Sequence, residues 1–331
     1  MEQRTLGRTG PEVSALGLGA MGMSAGVYGP ADREESLATL HAAVDAGVTL
    51  IDTGDFYGMG HNEMLIGEAL RGLPREQLVI SVKFGALRDP AFGWGGVDNR
   101  PAAMRNFVAY SLQRLGVEQI DIYRPARLDP AVPIEETMGA LAEMVQAGWI
   151  RHIGLSEVGA QTLRRAAAVH PVCDLQIEYS LISRGIEAEI LPVARELGIG
   201  ITAYGVLSRG LISGHWSAGA SKAGDFRGMS PRFAADNIDA NLALVEALRG
   251  VAEARGLSVA QAAIAWVAAQ GPDIVPLIGA RRRDRLAESL GALETALDAE
   301  ALAAIAASMP AEAARGARYP AMQMAHLDSE H

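Results

Sequence analysis

The chain has 331 residues, 49% of them hydrophobic, and a formal net charge of -10. That is enough apolar material for one large core, and it excludes disorder over most of the length. The acidic balance and the lack of any long basic run argue against nucleic acid or an anionic membrane surface as a partner.

In chain order, residues 1–15 read as a β-hairpin, QRTL and EVSAL around the turn sequence GRTGP. The N-terminus has no apolar signal core and no run reaches the roughly 20 residues of a membrane span, so a cytoplasmic location is expected. Strand-like apolar runs follow at 15–19, 48–52, 78–84, 119–123, 150–155, 173–177, 198–204 and 273–279. Helical patterns start between and after them near Asp32, Asn62, Pro101, Pro133, Gly159, Ile186, Asp239 and Arg281, with an additional helix over 258–270. Pro133 followed by two glutamates suits a first helical turn, and Ala147-Gly148 suits a helix end before a strand. The lone Cys173 lies in one of the apolar runs and reads as a buried thiol, with no disulfide framework.

Eight strand–helix pairs with no Pro/Gly/Ser linker predict one domain over 1–331. Its architecture is an α/β (β/α)8 TIM barrel with an N-terminal β-hairpin and extra C-terminal helices. The site of such a barrel lies at the C-terminal ends of its strands. Two segments after strands, 85–99 and 205–233, exceed ordinary connections and are expected at that face. The tail after Pro310 carries Tyr319, Met322 and Met324 and reads as either a disordered terminus or a flap over the pocket.

The most informative stretch is LIDTGDFYGMGHNEMLIGEAL, residues 50–70, with LVISVKF, residues 78–84. As adjacent parallel strands they would set Asp52 and Lys83 side by side, roughly 5 Å apart, with Tyr57 on the loop above. A cation near a phenol stabilises the phenolate and lowers the pKa from about 10, making tyrosine a better proton donor. A structural ion pair beside a loop aromatic is the other reading of the same residues. GLGAMG at 17–22 matches G-x-G-x-x-G, but no helix opens within it and no acidic residue follows about 20 positions later, so it does not predict a dinucleotide fold. Near the end, IVPLIGARRRDRLAESL brings Arg281, Arg282, Arg283 and Arg285 to an expected helix start. Cations there are unfavourable unless an anion compensates them, which suggests a phosphate such as the 2′-phosphate of NADP; a solvated charged helix is the alternative. Ser208-Arg209-Gly210 offers further donors to a pyrophosphate.

Taken together, these motifs resemble the aldo-keto reductases over nearly the whole length. They are G7-R-T-G10, GLGAMGMS (17–24), IDTGDFYGMGHNEMLIGEAL (51–70), VKFG (82–85), IRHIGLSE (150–157), LQIEYSL (175–181), ITAYGVLSRGLISG (201–214) and PLIGARRRDRLAESL (276–290). The resemblance implies reversible NADPH-dependent reduction of an aldehyde or ketone without metal. It makes Asp52, Tyr57 and Lys83 three members of a catalytic tetrad, with Tyr57 as proton donor. It assigns Ser156 and Gln176 to the nicotinamide carboxamide and Tyr204 to stacking on the ring. Leu207, Ser208 and Gly210 fall at the pyrophosphate, Gly279, Arg281 and Arg285 at the 2′-phosphate, and Glu288 at the adenine. The fourth tetrad member, a histidine in a run like Y-x-x-H-R-x-D-P, is replaced: residues 123–130 read YRPARLDP, with Ala126 in its place. Arg124, two residues back, is expected to reach into the vacated space and stabilise the Tyr57 phenolate. Glu157 and Ser289 stand where asparagine is usual. Tyr28, Phe56, Phe92 and Trp94 are expected as apolar walls of the substrate pocket. The alternative is a regulatory or sensor protein that binds NADP(H) with little turnover. A Schiff-base aldolase using Lys83 is disfavoured by the arginine-rich helix start. A homo-oligomer is compatible with the sequence.

Overall fold

Runs such as VISVKF and IVPLIG are apolar at consecutive positions, as strands covered on both faces require. The computed structural model describes residues 1–91, 93–216 and 225–330. The chain begins with β1 (Gln3–Thr5) and β2 (Glu12–Ser14), an antiparallel hairpin. The alternation then runs β3 (Gly17–Gly19), α1 (Arg33–Asp45), β4 (Leu50–Gly54), α2 (His61–Leu70) and β5 (Val79–Phe84). A second hairpin, β6 (Ala86–Arg88) and β7 (Trp94–Val97), precedes α3 (Pro101–Leu115). Next come β8 (Ile120–Pro125), α4 (Ile134–Gln146), β9 (Ile150–Ser156), α5 (Ala160–Val169), β10 (Asp174–Glu178), α6 (Ile190–Leu197) and β11 (Gly200–Tyr204). The last third holds α7 (Ala235–Glu253), α8 (Val259–Ala268), β12 (Ile274–Gly279), α9 (Arg283–Leu290), α10 (Ala299–Ser308) and α11 (Ala321–Met324).

The strands β3, β4, β5, β8, β9, β10, β11 and β12 close into a parallel barrel in that order, so the (β/α)8 expectation holds. The N-terminal hairpin plugs the lower mouth, where Leu6 and Val13 pack with Leu50, Val79, Ile122 and Val275. The helix signals work locally. Asp32 accepts from Glu35 N at the start of α1, and Ser258 and Gln261 form a reciprocal cap on α8. Pro133 stands at the N-cap position of α4, with Glu135 and Glu136 in the first turn.

Three expectations shift. Residues 85–99 are not a plain loop but carry β6 and β7, which stand at the barrel's upper rim. The final arginine-rich helix starts at Arg283, not Arg281, because Arg281 still belongs to the connection after β12. The tail after Pro310 is ordered and includes α11.

Candidate active site

β4 and β5 pair with Asp52 opposite Ser81 and Gly54 opposite Lys83. Asp52 and Lys83 are therefore two positions apart on one inward face, not directly opposite, and the lysine side chain reaches back to Asp52 Oδ1. The other oxygen, Oδ2, accepts from Ser81 Oγ at 2.9 Å and from the Gln176 amide at 2.8 Å. Three donors fix this carboxylate. Breaking a buried pair of this kind costs about 3–5 kcal/mol, because the remaining charge is left uncompensated.

Tyr57 lies on the turn after β4, and the Lys83 ammonium stands 5.2 Å from its ring centre. Burial pushes the Tyr57 phenol well above its usual pKa; the Asp52 charge adds to this, and the Arg127 guanidinium opposes it. Burial lowers Lys83 from the usual lysine value, Asp52 opposes, and Arg124 and Arg127 lower it further. The expectation of a Tyr57 made acidic by Lys83 is thus not met in this arrangement. Burial penalises the phenolate, and the lysine charge is engaged by Asp52.

Arg124 also differs from expectation. It is fully buried inside β8, and its Nη2 donates to both oxygens of Asp174, at 3.0 and 2.9 Å. Its Nη1 stands 3.7 Å from Asp52 Oδ2, so it acts on the Asp52–Lys83 pair from below. Register explains this: Arg124 is opposite Lys83 and points down the barrel toward Asp174, which also accepts from the Thr202 hydroxyl at 2.5 Å and the Cys173 thiol at 3.4 Å. The side chains that line the cavity at this point are Ala126 and Arg127. Arg127 was missed in the sequence. The signal was its place immediately after the alanine that replaces a histidine.

A cavity of about 890 Å³ opens over this end of the barrel, and Asp52, Tyr57 and Lys83 form its floor. Among the residues assigned to a cofactor, Ser156, Gln176, Tyr204, Leu207, Gly210, Gly279, Arg281, Arg285 and Glu288 all line it. Ser156 Oγ is buried without a hydrogen-bond partner, an orphan that a polar ligand group would satisfy. A Cβ added to Gly279 would meet nothing within 4 Å, so that backbone faces open space. Among the described residues Arg281 donates only to the carbonyls of Tyr28 and Pro30, whereas Arg285 is held by Glu288, which also binds His215. Ser208 is the exception. It is buried off the cavity wall, with φ 45°, and its hydroxyl accepts from Arg232.

Of the expected pocket walls, Tyr28, Phe56 and Trp94 line the cavity, and Phe92 lies outside the described residues. The tail forms part of the roof through Tyr319, Met322 and His326. What ties it down is a buried charge network. Arg318 donates two bonds to Glu157, at 2.9 and 2.6 Å, and the Tyr204 hydroxyl bonds both Glu157 and Tyr319. Glu157 is fully buried in the left-handed region, φ 54°, and these partners hold its carboxyl down at about 2 despite burial. Its departure from asparagine serves the roof. Among the described residues, no group of three potential metal ligands comes together, and no helix is long and apolar enough to cross a membrane.

Comparison with known proteins agrees with this geometry. The family model described as Aldo/keto reductase family matches residues 15–309. A Glycine max protein named probable aldo-keto reductase 1 is 40% identical over 314 residues, which is 95% of this chain and 90% of that protein. A glycerol dehydrogenase from Gluconobacter oxydans superposes with TM-score 0.83 at 31% identity, covering 92% of this chain and 94% of that one. The holo form of an aldo-keto reductase from Bacillus halodurans gives TM-score 0.78 at 26% identity, covering 95% and 98%.

Proposed function

The chain belongs to the aldo/keto reductase family, and from that premise we propose that it reduces an aldehyde or ketone to the alcohol with NADPH, reversibly, Tyr57 delivering the proton. Membership makes it an oxidoreductase acting on carbonyl groups. The observation that carries the finer reading is the phenol of Tyr57 on the cavity floor, beside a buried lysine that is itself fixed by Asp52.

The residues present fit a nicotinamide dinucleotide phosphate. The orphaned Ser156 hydroxyl suits the carboxamide, the open face of Gly279 admits close approach, and Arg281 has no carboxylate partner among the described residues. When bound, NADPH supplies the hydride. Tyr57, protonated through the neutral range because burial raises its pKa, protonates the carbonyl oxygen as it gains charge. An alkoxide is a far stronger base than a phenolate, so a phenol need not be unusually acidic to do this. Lys83 stabilises the resulting phenolate, and Asp52 keeps Lys83 charged. Arg281 and Arg285 hold the 2′-phosphate end, Glu288 the adenine, and Leu207 and Gly210 the pyrophosphate. Reduction is therefore expected to be flat across neutral pH, while alcohol oxidation, which needs the phenolate as base, rises with pH.

The test is NADPH oxidation with a panel of aldehydes and ketones. Tyr57→Phe is expected to slow the best substrate by about 10²–10⁴ with cofactor binding retained; undiminished turnover would sink the reading. Ala126, which cannot hydrogen-bond a carbonyl, supports a second reading as an NADP(H)-binding sensor. Tight cofactor binding with no oxidation by any carbonyl would favour it.

A further inference from the structure

The cations that line the cavity are unevenly balanced. Lys83 holds Asp52, Arg209 holds Glu178, Arg227 holds Asp225 and Arg285 holds Glu288. Arg127 shares with Arg281 the lack of a carboxylate partner among the described residues. Among the described residues its guanidinium makes one hydrogen bond, from Nη1 to the carbonyl of the preceding Ala126 at 2.6 Å, and no carboxylate stands within ion-pair distance. Burial works against its charge, but Tyr204, Tyr319 and Glu157 together raise its pKa, and the Glu157 carboxylate is already engaged by Arg318, Ser329 and the Tyr204 hydroxyl. No carboxylate among the described residues is therefore left to pair with this guanidinium directly.

Its position decides what would compensate it. Arg127 follows the end of β8 and lines the cavity together with Ala126, whose methyl leaves that part of the wall open. The Tyr319 ring of the roof stands 5.9 Å from its Cζ, leaving the guanidinium between the roof and the catalytic floor. It is close enough to Tyr57 to be the cation that opposes the rise in its pKa. The planar guanidinium fork matches a carboxylate in two parallel hydrogen bonds, a match that a neutral carbonyl cannot give.

We propose that Arg127 is a specificity-determining residue that binds a carboxylate on the substrate, so that the preferred substrates are aldehydes or ketones carrying a carboxylate close to the carbonyl. This substrate class rests on the reductase reading above. The anion site itself can be tested without turnover.

The probes are benzoate and benzamide, which differ in charge and little in shape, titrated against the intact protein by calorimetry. Wild type is expected to bind benzoate about tenfold tighter than benzamide. Arg127→Met, which keeps the aliphatic stem, should erase the preference, and Arg127→Lys should keep part of it. In parallel, kcat/KM for 2-carboxybenzaldehyde should exceed that for benzaldehyde in wild type and fall to parity in Arg127→Met. Equal binding of the two probes by wild type, or a preference that survives in Arg127→Met, overturns the proposal. Should Arg127→Met fail to fold, the wild-type comparison and Arg127→Lys still decide it. A wild type that turns over no carbonyl while still preferring benzoate through Arg127 overturns the reductase reading and leaves the anion site standing.

Discussion

The two ends of the cavity hold their charges in different ways. At the barrel end, Asp52 and Lys83 project from neighbouring strands, are almost fully buried and are fixed by donors from β5 and β10. At the other end, Arg281 and Arg285 stand on the connection after β12 and the start of α9, where Arg285 remains 43% exposed. Sheet register sets the first group, so its geometry exists before any ligand arrives. Loop and helix-end side chains make up the second, where solvent screens each charge. The first end is suited to chemistry and the second to reversible binding.

Lys83→Met is the largest expected break in this contrast. It should cost about 3 kcal/mol of stability by chemical denaturation, since a buried carboxylate loses its cation. Turnover of the best substrate should fall by about 10² or more. A variant as stable and active as wild type would mean that the buried end is not preorganised as described. Arg281→Leu probes the opposite end. There the KM for NADPH is expected to rise about tenfold with kcat nearly unchanged, read from initial rates. A fall in kcat with constant KM would show that the two ends are not separable.

Ionic strength offers a gentler probe. Raising salt from low to physiological levels should weaken NADPH binding a few-fold while kcat barely moves, because exposed charges are screened over about 8–10 Å and buried pairs much less. A pH-dependent probe is Asp55, whose backbone N–H donates to Lys83 O at 2.9 Å. Burial first, and then Glu63, raise its carboxyl from 3.8 to about 8. Between those values the folded chain keeps a proton that the unfolded chain releases, so stability falls as pH rises through the window. Asp55→Asn should remove that slope. Its melting temperature relative to wild type should climb from pH 4 to pH 8 and then level off, in a thermal-melt series. A constant difference would show that Asp55 ionises normally in the folded state.

The barrel was legible because each buried parallel strand is an uninterrupted apolar run, and such runs are visible without knowing their neighbours. The helix starts at Asp32, Pro133 and Ser258 are set by local sequence for the same reason. The β6–β7 hairpin was hidden because TrpGlyGlyVal has no alternation and lies among turn residues. The tail left two readings open, because its order comes from Arg318 meeting Glu157 some 160 positions away.

The sequence by itself determined the strand order and the family, and it singled out Asp52, Tyr57, Lys83 and most of the other residues that line the cavity. Each of these follows from short segments whose meaning is local or carried by motif. Only the tertiary structure decided where the charges point. It sent Arg124 down the barrel to Asp174, left Arg127 at the cavity wall and gave Glu157 to the roof. Electrostatic partners are chosen by distance across the barrel, and distances between strands remote in sequence are set by closure of the sheet, not by any one segment.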